Sequence, residues 1–320
     1  MSCACLAQPA IPARPEMIAP TPAAILQFLL DGARAGTAGT LITLTGITGA
    51  SSRGIGTQMA VLEDGRHLGS FSGGCIEGAV IAEAQDALAA GRARTVRFGS
   101  GSPYIDIRLP CGGGIDLTFC PRPDPGTLAD MLDRLARREP AQLRIDGDVI
   151  RDYVPPLRLI ALGHGEDLVA LTRLARAFGI DVLAFAPSGD IHAHGADGIA
   201  PLATPTSLPA LTSDPWTAFV FLFHDADWEE ALLPQALALP GFYHGAVGSA
   251  RTHRARIASL RSANVPAERI ERLRGSIGLI PATRDPATLA LSILGELVQD
   301  YQACAAAPQW NLAVNTPESR

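Results

Sequence analysis

Lysine does not occur in this chain of 320 residues, and all 26 of its basic residues are arginine. That absence excludes a Schiff-base lysine and a phosphate-loop lysine. Cysteine is scarce as well. The six cysteines, Cys3, Cys5, Cys75, Cys111, Cys120 and Cys304, make no disulfide framework, and no two have the C-x-x-C spacing of a zinc or thioredoxin-like site. A reducing cytoplasm is the expected compartment. The first charge is Arg14, and Pro9, Pro12, Pro15, Pro20 and Pro22 interrupt the start, so the basic and apolar runs of a signal peptide are missing. Residues 1–20 read as a mobile tail. No apolar run is long enough to span a bilayer. Basic residues form no long run and the net charge is −6, so neither nucleic acid nor an anionic membrane surface is expected as a main partner.

What is present is ample apolar material, 47% of residues against 18% charged, enough for a sizeable core. The length suggests two domains. Residues 22–35 have helical period with Thr21 as a candidate cap, and Thr40–Thr48 has the composition of a strand. Thr57–Leu62 and His67–Phe71 read as a hairpin turned at Asp64-Gly65. From Cys75 a helical pattern runs to Gly91, which would place Cys75 and Glu77 in the first turn, where the helix dipole favours a thiolate or a bound anion. Arg94–Phe98 and Ile115–Phe119 read as strands, Asp124–Glu139 as a helix, and Leu143–Ile145 with Val149–Tyr153 as a hairpin. This first domain, residues 21–154, is expected to be mixed α+β.

The pattern changes at Pro155-Pro156. Leu157–Leu162, Asp181–Phe185, Ala218–Phe223 and Phe242–Ala246 are strand-like. Helical stretches at Asp167–Phe178, Trp228–Leu237, Ala250–Ala263 and Pro286–Ala303 alternate with them. Such alternation predicts a Rossmann-like, doubly wound parallel sheet over residues 155–305, with residues 306–320 as a C-terminal tail. The turn Gly163-His164-Gly165-Glu166-Asp167-Leu168 stands where a dinucleotide fingerprint would stand. Leu168 replaces its third glycine and two acids face the pyrophosphate position, which argues against NAD(P). His192 with His194, and His224 with Asp225, are weak metal or active-site candidates beside the reading as surface loop residues. Cys120 reads as a small core residue, and Cys3, Cys5 and Cys304 as tail or helix-surface residues.

Three first-domain segments are different in kind: Ser51-Ser52-Arg53, Ser72-Gly73-Gly74-Cys75-Ile76-Glu77 and Cys111-Gly112-Gly113-Gly114. Runs of glycine suit places where a ligand meets bare backbone, and a thiol beside amide N–H groups can be a nucleophile or a soft ligand. Composition alone leaves open the alternative of three unrelated tight turns.

Taken together, Ser70–Glu77, Leu109–Asp116 and Ala50–Arg53 resemble the XdhC/CoxI family, the xanthine dehydrogenase accessory proteins. Gly245–Arg251, Ser276–Leu279 and Ala290–Glu296 resemble that family's later segments. The resemblance implies a molybdenum-cofactor chaperone, more a cofactor carrier than a catalyst. It would bind the pterin cofactor (molybdopterin), protect it while a cysteine desulfurase installs the sulfido ligand, and pass it to a xanthine or aldehyde dehydrogenase-type hydroxylase. It also implies Cys111 and Cys75 as molybdenum-side thiols. Gly112, Gly113, Gly114, Gly73, Gly74, Ser51, Ser52 and Arg53 would be cofactor contacts, Glu77 an orienting or proton-accepting group, and the oligomer a homodimer. The sequence departs from the family in the Gly-His-Gly-Glu order of its Rossmann turn, at Ile280-Pro281, and in lacking a proline pair after Ser52, which suggests a divergent member. An NAD(P)-dependent oxidoreductase and a docking protein without a small ligand are the rival readings.

Overall fold

The computed structural model describes residues 21–102, 112–147, 149–187, 198–223 and 227–306. Cys3, Cys5, Cys111, Asp148 of the hairpin turn, His192, His194, His224, Asp225 and most of both tails lie outside the described residues. The chain forms two compact units that divide between Pro155 and Pro156.

The first unit contains α1 (Pro22–Arg34), β1 (Gly39–Thr48), β2 (Gln58–Leu62), β3 (His67–Leu68), α2 (Glu77–Ala90), β4 (Arg94–Gly99), β5 (Gly114–Pro121), α3 (Pro125–Ala136), β6 (Ala141–Asp146) and β7 (Val149–Tyr153). Helix ends follow local chemistry. The Thr21 hydroxyl accepts the Ala24 N–H at 3.2 Å and the Asp124 carboxylate accepts that of Thr127 at 2.7 Å. The order β3-β2-β1-β5-β4 makes one sheet, antiparallel throughout. Helix α2 covers one face, with Val80, Ala84 and Ala87 against Ile42, Leu44, Phe98 and Leu117. On the other face α1, α3 and the β6–β7 hairpin pack against Leu41, Ala60 and Leu62.

The second unit contains β8 (Arg158–Gly163), α4 (Gly165–Ala177), β9 (Asp181–Pro187), β10 (Ile199–Leu202), β11 (Thr217–Leu222), α5 (Glu229–Ala238), β12 (Tyr243–Ala246), α6 (Ala250–Ser262), α7 (Ala267–Ile270), β13 (Leu273–Gly275) and α8 (Pro286–Ala306). Its six strands are parallel in the order β10-β9-β8-β11-β12-β13, which is the Rossmann order, and the two faces are covered by different helices. Helices α4 and α8 bury Leu168, Leu171, Ile293 and Leu297 on one side, while α5 and α6 bury Leu232, Leu233 and Leu260 on the other. Strands β10 and β13 and helix α7 carry no signal of their own in the sequence, being only a few residues each. Among the described residues no helix is long and apolar enough to cross a membrane.

Candidate functional site

The three segments singled out in the first unit meet at one end of its sheet. Antiparallel pairing puts the last residue of β1, Thr48, opposite Gly114 at the start of β5, and Gly114 opposite Gly99 at the end of β4. The loop between β1 and β2 and the loop after β3 leave the sheet at the same end. A side chain on Gly113 would overlap the carbonyl oxygen of Ala50, so the β1–β2 loop and the segment leading into β5 touch through backbone, and only glycine permits it. Cys111 lies outside the described residues, but its neighbour Gly112 is exposed here.

The loop after β3 is organised by Glu77. Its carboxylate accepts the Ser70 hydroxyl at 2.8 Å, the Ser72 hydroxyl at 2.7 Å and the N–H groups of Phe71, Ser72, Gly74 and Ile76 at 3.0, 2.8, 2.7 and 3.2 Å. The Ser70 hydroxyl in turn accepts Gly73 N–H at 2.9 Å, and the Ser72 hydroxyl accepts those of Cys75 and Ile76 at 2.9 and 3.1 Å. Burial works to raise the carboxyl, but the hydrogen bonds from Ser72 and Ser70 outweigh it and hold Glu77 well below the usual carboxylate range. Phe71 and Ile76 are sunk in the core on either side. Gly73, Gly74 and Cys75 are therefore an exposed strap between two buried anchors, and a side chain added at Gly73 or Gly74 would meet nothing within 4 Å.

This geometry changes several sequence expectations. The helix begins at Glu77, so Cys75 precedes it rather than sitting in its first turn, because the amides there bond side chains instead of continuing a helix. The strand expected over His67–Phe71 stops at Leu68, since the N–H groups of Phe71 and Ser72 go to Glu77. The Glu77 carboxylate accepts six hydrogen bonds inside the loop, so its lone pairs are occupied. The amides of Gly73, Gly74 and Cys75 are engaged within the loop.

The Ser51–Arg53 turn is tied to this strap. Ser52 Oγ donates to Phe71 O at 3.3 Å and Arg53 Nε to Ser70 O at 3.4 Å, while Ser51 Oγ donates to Arg53 O at 2.9 Å. Sequence reading missed the pair beside it. Arg97 donates to both oxygens of Asp116 at 2.8 and 2.7 Å and to Thr48 Oγ1 at 3.3 Å. The two face each other across β4 and β5, a signal invisible until the strand pairing is known. Among the described residues no group of three or more His, Cys, Asp and Glu stands ready to hold a metal ion.

In the second unit the turn after β8 delivers Glu166 and Asp167 into the first turn of α4. Leu168 is fully buried there, filling the space that a third glycine would leave for close helix packing. Cys120 packs against the first core and burial, with the Asp146 charge, pushes its thiol up; Cys304 is exposed on α8. Sequence reading gave no role to Glu296. It accepts Tyr243 Oη at 3.0 Å, Arg274 at 3.3 Å and the N–H of Gly278, which joins the segments Ser276–Leu279 and Ala290–Glu296.

Comparison with known proteins agrees with this division of the chain. Residues 33–99 match the XdhC and CoxI family and residues 159–297 match the XdhC Rossmann domain. The Escherichia coli (strain K12) protein named molybdenum cofactor insertion chaperone PaoD is 35% identical over 292 residues, covering 85% of this chain and 86% of the relative. The chain belongs to the XdhC and CoxI family. The XdhC and CoxI match takes in both the Ser51–Arg53 turn and the Ser70–Glu77 strap, and the XdhC Rossmann domain match takes in Glu166 and Glu296. A solved structure described as a xanthine dehydrogenase from Bacillus halodurans superposes with a TM-score of 0.67 at 20% identity, over 87% of this chain and 96% of the other. At that identity the likeness is one of fold, shared by this XdhC and CoxI family member across both units.

Proposed function

We propose that this protein is a maturation factor that carries the molybdenum cofactor as cargo for a xanthine or aldehyde dehydrogenase-type hydroxylase. The observation that carries this reading is the strap: an exposed Cys75 thiol in a loop hydrogen-bonded to the Ser51–Arg53 turn, whose neighbour Ala50 meets Gly113, in a chain related to a protein named as a cofactor insertion chaperone. A thiolate is a soft ligand or neighbour for molybdenum, and Cys111, adjoining Gly112, supplies the second thiol. With the strap amides engaged internally, the cargo's phosphate falls to the exposed guanidinium of Arg53 and to Gly112–Gly114. The open faces of Gly73 and Gly74 leave room for a flat pterin. The client is the molybdenum hydroxylase, a cysteine desulfurase acts on the bound cargo, and a cytoplasmic homodimer is the expected form.

The test is to purify the chain from cofactor-producing cells and assay bound pterin and molybdenum for wild type, Cys111→Ala and Cys75→Ala. Retention by wild type and a several-fold loss in the variants is the expected result. Equal retention in all three would remove the thiols from the site, and no retention by wild type would remove the cargo.

A further inference from the structure

Helix α6 carries four arginines and no acidic residue. Arg256 is buried against Glu229, and the other three are exposed. At 3.6 residues per turn, Arg251, Arg254 and Arg261 share one face, within about a quarter of the helix circumference, and span about 15 Å along its axis. The packed side is a different one, with Arg256 and Leu260 buried and Ile257 against the core. Ala255, Ala258 and Ser262, exposed near the arginines, are small, and they leave the guanidinium groups accessible.

Nothing inside the unit accounts for this row. Among the described residues, none of the three side chains makes a hydrogen bond or an ion pair, although Arg158, Arg256 and Arg274 of the same unit each meet a carboxylate. Arg251 stands in the first turn, where the helix dipole disfavours a cation and no acid offsets it. The arrangement works against the helix itself, which points to a use outside it.

The row leads into a groove. Arg261 also lines an open depression of about 320 Å³ with Asn264, Val265, Ala267, Ile270 and Glu271, at the lower end of the size range of ligand sites. Asn264 turns the chain there with φ of 56°, and Val265 and Ile270 give the depression apolar lining continuous with the core beneath α5 and α6. Glu271 and the exposed Glu268 place acids on the α7 side, so the attraction for an anion runs along α6. We propose that α6 and this groove dock an acidic peptide segment of a partner protein, its carboxylates paired with Arg251, Arg254 and Arg261 and one apolar side chain seated over Val265 and Ile270. Guanidinium groups take carboxylates in bidentate fashion. A nucleic acid fits less well, because three cations on a chain of net charge −6 offer few phosphate contacts and a phosphate backbone has no use for apolar lining. This inference does not rest on cargo binding by residues 21–155.

The experiment follows the fluorescence anisotropy of a labelled twelve-residue peptide of glutamate and alanine with one central phenylalanine, titrated with the full chain. Companion probes have glutamine for every glutamate, alanine for the phenylalanine, or a single-stranded DNA of twelve nucleotides. Expected are saturable binding of the acidic peptide, at least tenfold weaker binding of the glutamine peptide, and several-fold weaker binding without the phenylalanine. Raising salt from about 0.05 to about 0.3 M should weaken the acidic peptide several-fold. Arg254→Glu should lose at least fivefold in affinity at an unchanged melting temperature, whereas Arg92→Glu, the same change of charge on the first unit, should lose less than twofold. No saturable binding of the acidic peptide, equal binding of its glutamine form, tighter binding of the DNA, or equal affinity in Arg254→Glu would overturn the proposal. None of these outcomes touches the thiol variants, whose readout is retained molybdenum.

Discussion

Glu77 shows how one carboxylate can do the work of several turns of regular structure. It satisfies amides that would otherwise have no partner at a helix start, and it is spaced so that Ser70 and Ser72 reach it from the preceding chain. Glu77→Gln removes the charge and puts an amide N–H where an acceptor was, so we expect the strap to lose order. Amide exchange at Gly74 and Ile76 should accelerate at least tenfold, with a stability loss of about 1–3 kcal/mol. Because its folded carboxyl lies below the ordinary value, Glu77 stabilises fully above the unfolded carboxylate range and loses that contribution only in strongly acidic solution. His244 behaves differently. Burial, and then the nearby Arg272 charge, lower its imidazole from 6.5 to about 4, and it stacks on Phe219 with ring centroids 5.0 Å apart. Its neutral form is the folded form, so its contribution is complete above the unfolded value and drains away as pH falls toward 4. Melting of residues 156–306 should therefore weaken between about pH 6.5 and 4, by on the order of 3 kcal/mol at most, and His244→Gln should flatten that slope.

At the scale of elements, the strands with long apolar runs and the helices with clear period were legible. Every residue of β11 is buried, and α4 buries Leu168, Leu171 and Ala175 on one stripe, which are the patterns the sequence displays. Illegible were elements that exist through their neighbours. Strand β13 has three residues and pairs only because β12 lies beside it, and it is Ser276, not the adjacent Gly275, that takes the left-handed conformation glycine normally supplies. The three site segments could be picked out by composition, yet their convergence depended on strand order, which periodicity does not encode. That convergence can be tested at its tightest point. Gly113→Ala forces a methyl into the Ala50 carbonyl, and we expect a melting temperature lower by several degrees together with loss of cofactor retention, even though the residue carries no functional group. A helix contact of another kind joins α5 and α6, where Arg256 donates to both Glu229 oxygens at 2.7 and 2.8 Å in the buried core. Arg256→Ala strands that carboxylate and should cost about 3–5 kcal/mol by chemical denaturation.

For the molecule as a whole, the composition shift at Pro155-Pro156 coincides with the division between the two compact units. Each unit has its own sheet and its own pair of core layers. We expect residues 21–155 and 156–306, expressed separately, each to unfold in a single cooperative transition; a fragment without one would show that the two share a folding unit. The strand orders have a last consequence, for behaviour at high concentration. A sheet's outermost strand offers unpaired backbone groups to any other chain. Here one sheet closes on the two residues of β3 and on β4 with its Arg94 and Arg97. The other closes on β10, interrupted by Pro201, and on the three residues of β13. Short, charged or proline-bearing margins give an incoming strand little to extend, so a protein rich in apolar residues is protected against edge-to-edge aggregation.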